Sequence, residues 1–251
     1  MKTFIFTAIF LMSTVNVYAA RNGDKLIGWP GSTLDGRTCF GRLQAFGPFD
    51  YTDKTYSIPG LYTEHGSSQE SPLRFVEKAH FTHNVEMLIK GRTGVLPTDI
   101  DYTIRAFPNH HRALWAMIKF ELMFLKKGAG RNAIIQITKP YNPTKIPPPE
   151  CYLNRAIKFD PEDPVLYMLY GLYLHKRGLL TDALKYYKES ERVYKESDGS
   201  VKENAELYYD MGLLYVDMKN YKEAKKYAKK AYILHYPLMG LKKALDDHNK
   251  K

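Results

Sequence analysis

Past its opening stretch, the 251-residue chain lacks any apolar run approaching the roughly 20 residues that a membrane-spanning helix needs. It also lacks a nucleophile elbow, a glycine-rich phosphate loop and the paired-histidine helix of zinc proteases, so no familiar catalytic motif argues for an enzyme. Cysteine is scarce, with two copies, and acids are in deficit: 27 Asp and Glu face 37 Lys and Arg, a formal charge of +10. Such an excess suggests nucleic acid or an anionic membrane as partner. The placing of the lysines argues otherwise. Between Tyr221 and Leu234, Lys222, Lys225, Lys226, Lys229 and Lys230 fall at helical spacing opposite Tyr221, Ala224, Tyr227, Ala228 and Ala231, which is the pattern of a solvated outer face. An acidic protein partner or the anionic cell envelope is the more natural use of the charge, and no nucleic acid is expected.

What is present at the start sets the compartment. Lys2 precedes an apolar run from Phe4 to Val15, and Val17 and Ala19 occupy the small-residue positions that signal peptidase reads. This predicts a signal peptide over residues 1–19, cleavage after Ala19, and a soluble, exported, periplasmic chain without a transmembrane anchor. In that oxidising compartment Cys39 and Cys151 read as one disulfide, clamping the amino-terminal region onto the remainder of the chain. Two buried thiols are the alternative, and a thiol beside a histidine is a route to catalysis.

The strongest pattern is internal. Tyr167, Gly171 and Ala183 recur as Tyr208, Gly212 and Ala224, at an offset of 41 residues. Self-similarity at such a period marks an array of helical hairpins. Glycine or alanine at fixed positions lets the two backbones of a hairpin approach, and bulky residues fill the remaining gaps. The first copy supplies Tyr170, Leu174, Tyr187 and Ser190 around its small residues; the second supplies Met211, Tyr215, Ala228 and Ala231, followed by Pro237. These residues resemble the tetratricopeptide repeat. The resemblance implies a mainly α fold, a helical hairpin array with a loop-rich amino-terminal region, and a role in binding another protein. Lys195 stands where the first copy usually ends in proline, and about seven extra residues from Ser197 to Glu203 stretch the usual period of about 34.

A degenerate copy precedes these. Leu153, Ala156 and Pro161 occupy second-helix positions, and Ala113 to Lys126 offers the partner helix. Between them Gly128 to Pro149 reads as an insertion too rich in proline for helix. The expected organisation is a lead-in over residues 20–108, then an array over 109–251. The array comprises a degenerate repeat at 109–161, repeats at 164–197 and 205–238, and a capping helix at 238–248, needed because a stack cannot bury its last apolar face alone. The lead-in reads as loops with one helix, Leu73 to Lys90; Thr98 to Phe107 is left open between an extended lead-in to the next helix and a short helix.

A second resemblance is carried by Gly47-Pro-Phe-Asp-Tyr, Val76-Glu-Lys-Ala-His-Phe-Thr, Asp101-Tyr-Thr-Ile-Arg-Ala-Phe-Pro-Asn-His-His-Arg-Ala-Leu and Tyr236-Pro-Leu-Met-Gly-Leu. The chain is similar in these segments to a group of exported proteobacterial tetratricopeptide proteins. That similarity implies fold and compartment, and no activity. Periplasmic repeat proteins of this kind dock peptides or partner subunits as accessories to pili, secretion machines or cell-wall enzymes.

Two sets of residues are candidates for a site. The first helices of the two repeats present Tyr173, His175, Lys176, Tyr209 and Asp217 off the packed positions, where they are expected to reach a protein or peptide partner; no cofactor is implied. The competing set is His80 and His83, three apart on a helix, with His110 and His111 at the start of another. Together they are candidates for a tetrahedral metal site and a metal-dependent envelope enzyme. The structural reading of the same residues is that Asn109 or His110 caps a helix and Arg112 pairs with an acid. Self-association through the open lip of the array is a further reading of the apolar surface.

Overall fold

Short polar side chains start three of the four repeat helices. Asp163, Asn204 and Asn220 each turn a side-chain oxygen onto the first free backbone N–H groups of the adjoining helix, at 2.9 Å to Val165, 2.8 Å to Glu206 and 3.3 Å to Glu223. The computed structural model describes residues 27–61, 70–126, 146–197 and 204–249. The expected signal peptide, most of the proline-rich insertion and most of the stretch from Ser197 to Glu203 lie outside the described residues.

The described residues form one 3-10 turn, Lys54–Ser57, an isolated β bridge between Ser32 and Thr38, and ten α-helices. In chain order they are α1 (Pro72–His80), α2 (His83–Glu86), α3 (Leu96–Ala106), α4 (His111–Lys126), α5 (Pro149–Phe159), α6 (Pro164–Lys176), α7 (Leu180–Glu196), α8 (Ala205–Asp217), α9 (Tyr221–Ile233) and α10 (Gly240–Asn249). The pairs α6 with α7 and α8 with α9 pack mainly on each other and form two stacked hairpins.

The repeated small residues do two different things. A Cβ at Gly171 would meet the ring of Tyr187 at 2.6 Å, so this glycine admits the aromatic ring of its own hairpin partner. In the second hairpin the residue at the Tyr187 position is Ala228, too short to reach across. A Cβ at Gly212 would instead collide with the Leu241 side chain of α10. Helix α10 thus covers the last hairpin, beginning at Gly240 where the sequence suggested Leu238, with Leu241 fully buried.

The degenerate repeat departs from a plain hairpin. Helix α4 shares its packing among α3, α5 and α6 instead of closing on α5 alone. Helix α5 begins at Pro149, with proline tolerated in a first turn whose N–H has no helical partner. The lead-in is more helical than expected. Thr98 to Phe107 resolves as α3, buried on nearly all sides, and the single helix from Leu73 to Lys90 is divided at Phe81 and Thr82 into α1 and the single turn α2. No glycine or proline causes the break. Val76 is buried in an aromatic cluster with Phe49 and Phe107, whereas Phe81 and Val85 are buried in the main core, and one straight helix does not serve both.

The segment from Ile27 to Gln44 wraps α5. Cys39 and Cys151 are joined by a disulfide with Cα atoms 5.5 Å apart, as the scarcity of cysteine implied. Around it, Leu34 N–H donates to Glu150 at 2.9 Å, Lys158 donates to the Ile27 carbonyl at 3.2 Å, and Trp29 meets Tyr152 edge to face at 5.2 Å.

Candidate partner-binding site

The residues from Asp101 to Arg112 are the joint between lead-in and array. Asp101, fully buried, takes the Tyr152 hydroxyl at 2.7 Å and the Arg105 guanidinium at 2.9 Å. Burial pushes its carboxyl upward against the pull of Arg105 and Tyr152. Asn109 accepts from Tyr51 N–H at 2.8 Å and donates to Asp50 and Asp160 at 2.8 and 3.2 Å. Arg112 donates to Glu86 at 2.8 Å and to Glu77 at 3.1 Å.

The four histidines take part in this joint separately. His110 is fully buried. Its Nδ1 accepts from Ala113 N–H at 3.2 Å, which caps α4 and leaves Nε2 to donate to Glu77 at 3.0 Å. Burial holds its pKa below the ordinary histidine value against the pull of Glu77, in keeping with a neutral ring. His80 pairs with Asp99 at 3.0 Å and stacks on Tyr102. Asp99 is buried, which works against its charge. Hydrogen bonds from His80, Thr93 and the Arg92 and Thr93 N–H groups nonetheless hold it at about 2. His111 pairs with Asp163 at 2.5 Å, and His83 is exposed. The candidate metal constellation is therefore dispersed over three different carboxylates. Among the described residues no group of three or more His, Cys, Asp or Glu side chains is placed to hold a metal ion. Both cysteines are bridged, so neither supplies the thiolate of a thiol-dependent site.

The candidate groove residues divide as sharply. Tyr173 is fully buried; its hydroxyl stands 2.9 Å from Glu150 and 3.2 Å from Glu121 and accepts from Arg177 at 2.8 Å. Burial, with the two carboxylates, pushes its pKa far up. It is a core residue, contrary to expectation, because α4 and α5 cover the side of α6 that carries it. Truncating it to alanine excavates the core instead of unloading a groove. Tyr209 is 7 % exposed, packs on Tyr236 with ring centres 4.6 Å apart, and lays its hydroxyl against Gly240 at the start of α10. His175 is nearly buried and reaches across the hairpins to Asp217, whereas Lys176 and Asp217 are exposed.

Sequence reasoning missed one cluster on the same face. Among the described residues two buried polar side-chain atoms have no hydrogen-bond partner, the Tyr187 hydroxyl and Asp210 Oδ2. Burial raises the Asp210 carboxyl to about 7, and the negative charge of Glu206 adds to the rise while Lys176 opposes it. The sequence signal was available: an aspartate inside an otherwise apolar run of a repeat helix, Tyr208 to Leu214.

Two helical hairpins with small residues at matched positions, closed by a capping helix, define a helical repeat protein. Residues 163–232 match the family model described as tetratricopeptide repeat, and they cover α6 to α9. No curated protein and no solved structure matches the chain at the significance required.

Proposed function

We propose that the protein is a binding scaffold for another protein, exported to the periplasm, where it positions or assembles components of an envelope machine such as a pilus or secretion system. The observation that carries the reading is the pair of tetratricopeptide hairpins, whose first helices leave Lys176, Glu206 and Asp217 exposed along one side. The disulfide supports export, because such bridges persist in oxidising compartments. Among the described residues no helix is long and apolar enough to cross a membrane.

Crosslinking and affinity capture from the native envelope tests this reading, with the charge-reversing pair Lys176→Glu and Asp217→Lys run alongside. Both side chains are exposed, but Asp217→Lys also removes the His175 contact, so circular dichroism and a urea midpoint run alongside separate a lost surface from a shifted hairpin. A defined partner retained by the native protein and lost by the variant is the expected outcome. Capture that is indifferent to the exchange rejects this face.

A further inference from the structure

We infer that Asp210, Tyr187 and Glu206 form a subsite for a cationic side chain, a lysine or arginine, carried by the bound protein; this rests on the scaffold reading. Two unsatisfied atoms come from two different helices. The Tyr187 ring lies against Gly171 and edge-on to His175, the residue that bonds Asp217 of α8, and the pKa of its hydroxyl is pushed well up by burial and then by the charges of Asp210 and Glu206. Asp210 is 8 % exposed on α8, and its Oδ2 is without a donor. Two buried groups left unsatisfied each carry a desolvation cost, and a bound donor removes it.

The ligand class follows from charge and chemistry. Glu206 lies one helical turn before Asp210, so both carboxylates share a helix face, with Glu206 exposed at the rim. Although Glu206 is open to solvent on one side, desolvation by the surrounding protein raises its carboxyl as well. Tyr209 and Tyr236 stand beside them, and Tyr236 is pushed to about 12 by burial and then by Glu206 and Asp210. An anion is repelled by this field. A divalent metal lacks its ligands, since no group of three coordinating side chains is present among the described residues. An ammonium or guanidinium brings several N–H donors for acceptors at differing depths, and its alkyl stem suits the tyrosine wall. Among the described residues Lys176 is a cation whose charge opposes the rise at Asp210.

Calorimetric titration of the full chain at pH 7 with acetyl-hexalysine amide and acetyl-hexaarginine amide tests the subsite. Acetyl-hexaglutamate amide is the control. The protein carries a formal charge of +10, so general electrostatics oppose the cationic peptides and any binding is local. At least one cationic peptide is expected to bind, with affinity reduced tenfold or more in Asp210→Asn with Glu206→Gln. Tyr187→Phe, which removes an unsatisfied hydroxyl without opening the core, is expected to weaken it severalfold. No binding of either cationic peptide, or equal binding by all variants, overturns the subsite. If native capture of the protein partner persists in Asp210→Asn with Glu206→Gln, the subsite falls and the scaffold reading stands. Absence of any partner for the native protein alongside intact peptide binding removes the scaffold reading alone.

Discussion

The Nε2 atom of His175 lies 2.7 Å from Oδ2 of Asp217, tying the last turn of α6 to the last turn of α8. The two residues belong to successive repeats, so the contact fixes how one hairpin sits on the next. Burial lowers the His175 pKa against the pull of Asp217, so at neutral pH the ring is a neutral donor to a carboxylate. Asp217→Asn is expected to cost up to about 1 kcal/mol, because the carboxylate is largely exposed and its bond is correspondingly screened. Urea unfolding at pH 7 checks this.

Replacing both cysteines by serine is expected to remove up to about 5 kcal/mol, the loop-closure value for a bridge spanning 112 residues. Hydrogen exchange locates the loss. Amides of the segment around Cys39 and of α5 are expected to exchange faster, while those of α8 and α9 stay protected; uniform loss across the chain contradicts a local clamp.

Gly212→Ala drives a methyl group into Leu241 and is expected to destabilise by about 1–3 kcal/mol. Leu241→Ala empties a fully buried position and is expected to cost about 2–5 kcal/mol. Combined, the two changes cost less than their sum, because the added methyl enters the space the leucine left. Additive costs contradict direct contact between Gly212 and the cap.

The buried ionisable groups pull stability in opposite directions with pH. His110 and His175 have pKa values held below the unfolded value, so the folded chain binds fewer protons and loses stability as pH falls below about 6.5. Asp210, raised from 3.8 to about 7, contributes the other way: its stabilisation is present below pH 3.8 and is lost as pH rises to 7. The charges acting on it are Glu206 on its own helix and Lys176 from α6, and the neutral hydroxyls of Tyr187 and Tyr236 are coupled to it electrostatically. Asp210→Asn is therefore expected to be more stable than the parent at pH 8, by up to about 4 kcal/mol, with the difference closing toward pH 4. Urea midpoints measured at pH 8, 6 and 4 check it, and parallel curves contradict it.

The hairpins were legible because their signal is local: Tyr167, Gly171 and Ala183 repeat as Tyr208, Gly212 and Ala224 within single hairpins of adjacent helices. The bridge was legible because two cysteines leave one pairing. The break at Phe81 was not, since two separate cores, and no turn residue, impose it. Tyr173 was misplaced for a related reason. Nearly every residue of α6 is buried, so the helix has no polar face from which to tell inside from outside. The side of α6 that looks open in isolation is covered by α4 and α5, helices distant in sequence. The Asp210 cluster is assembled from α7 and α8, and no single-helix pattern shows such a meeting.

Leu241 occupies the notch at Gly212, the place where a further helix would seat. Growth of the stack at that end, by another hairpin or by a second copy of the chain, has first to evict one leucine from a fully enclosed position. The array is thus of fixed count at that end, a ruler with a stop on it. Any assembly that lengthens the scaffold there must begin by peeling α10 away.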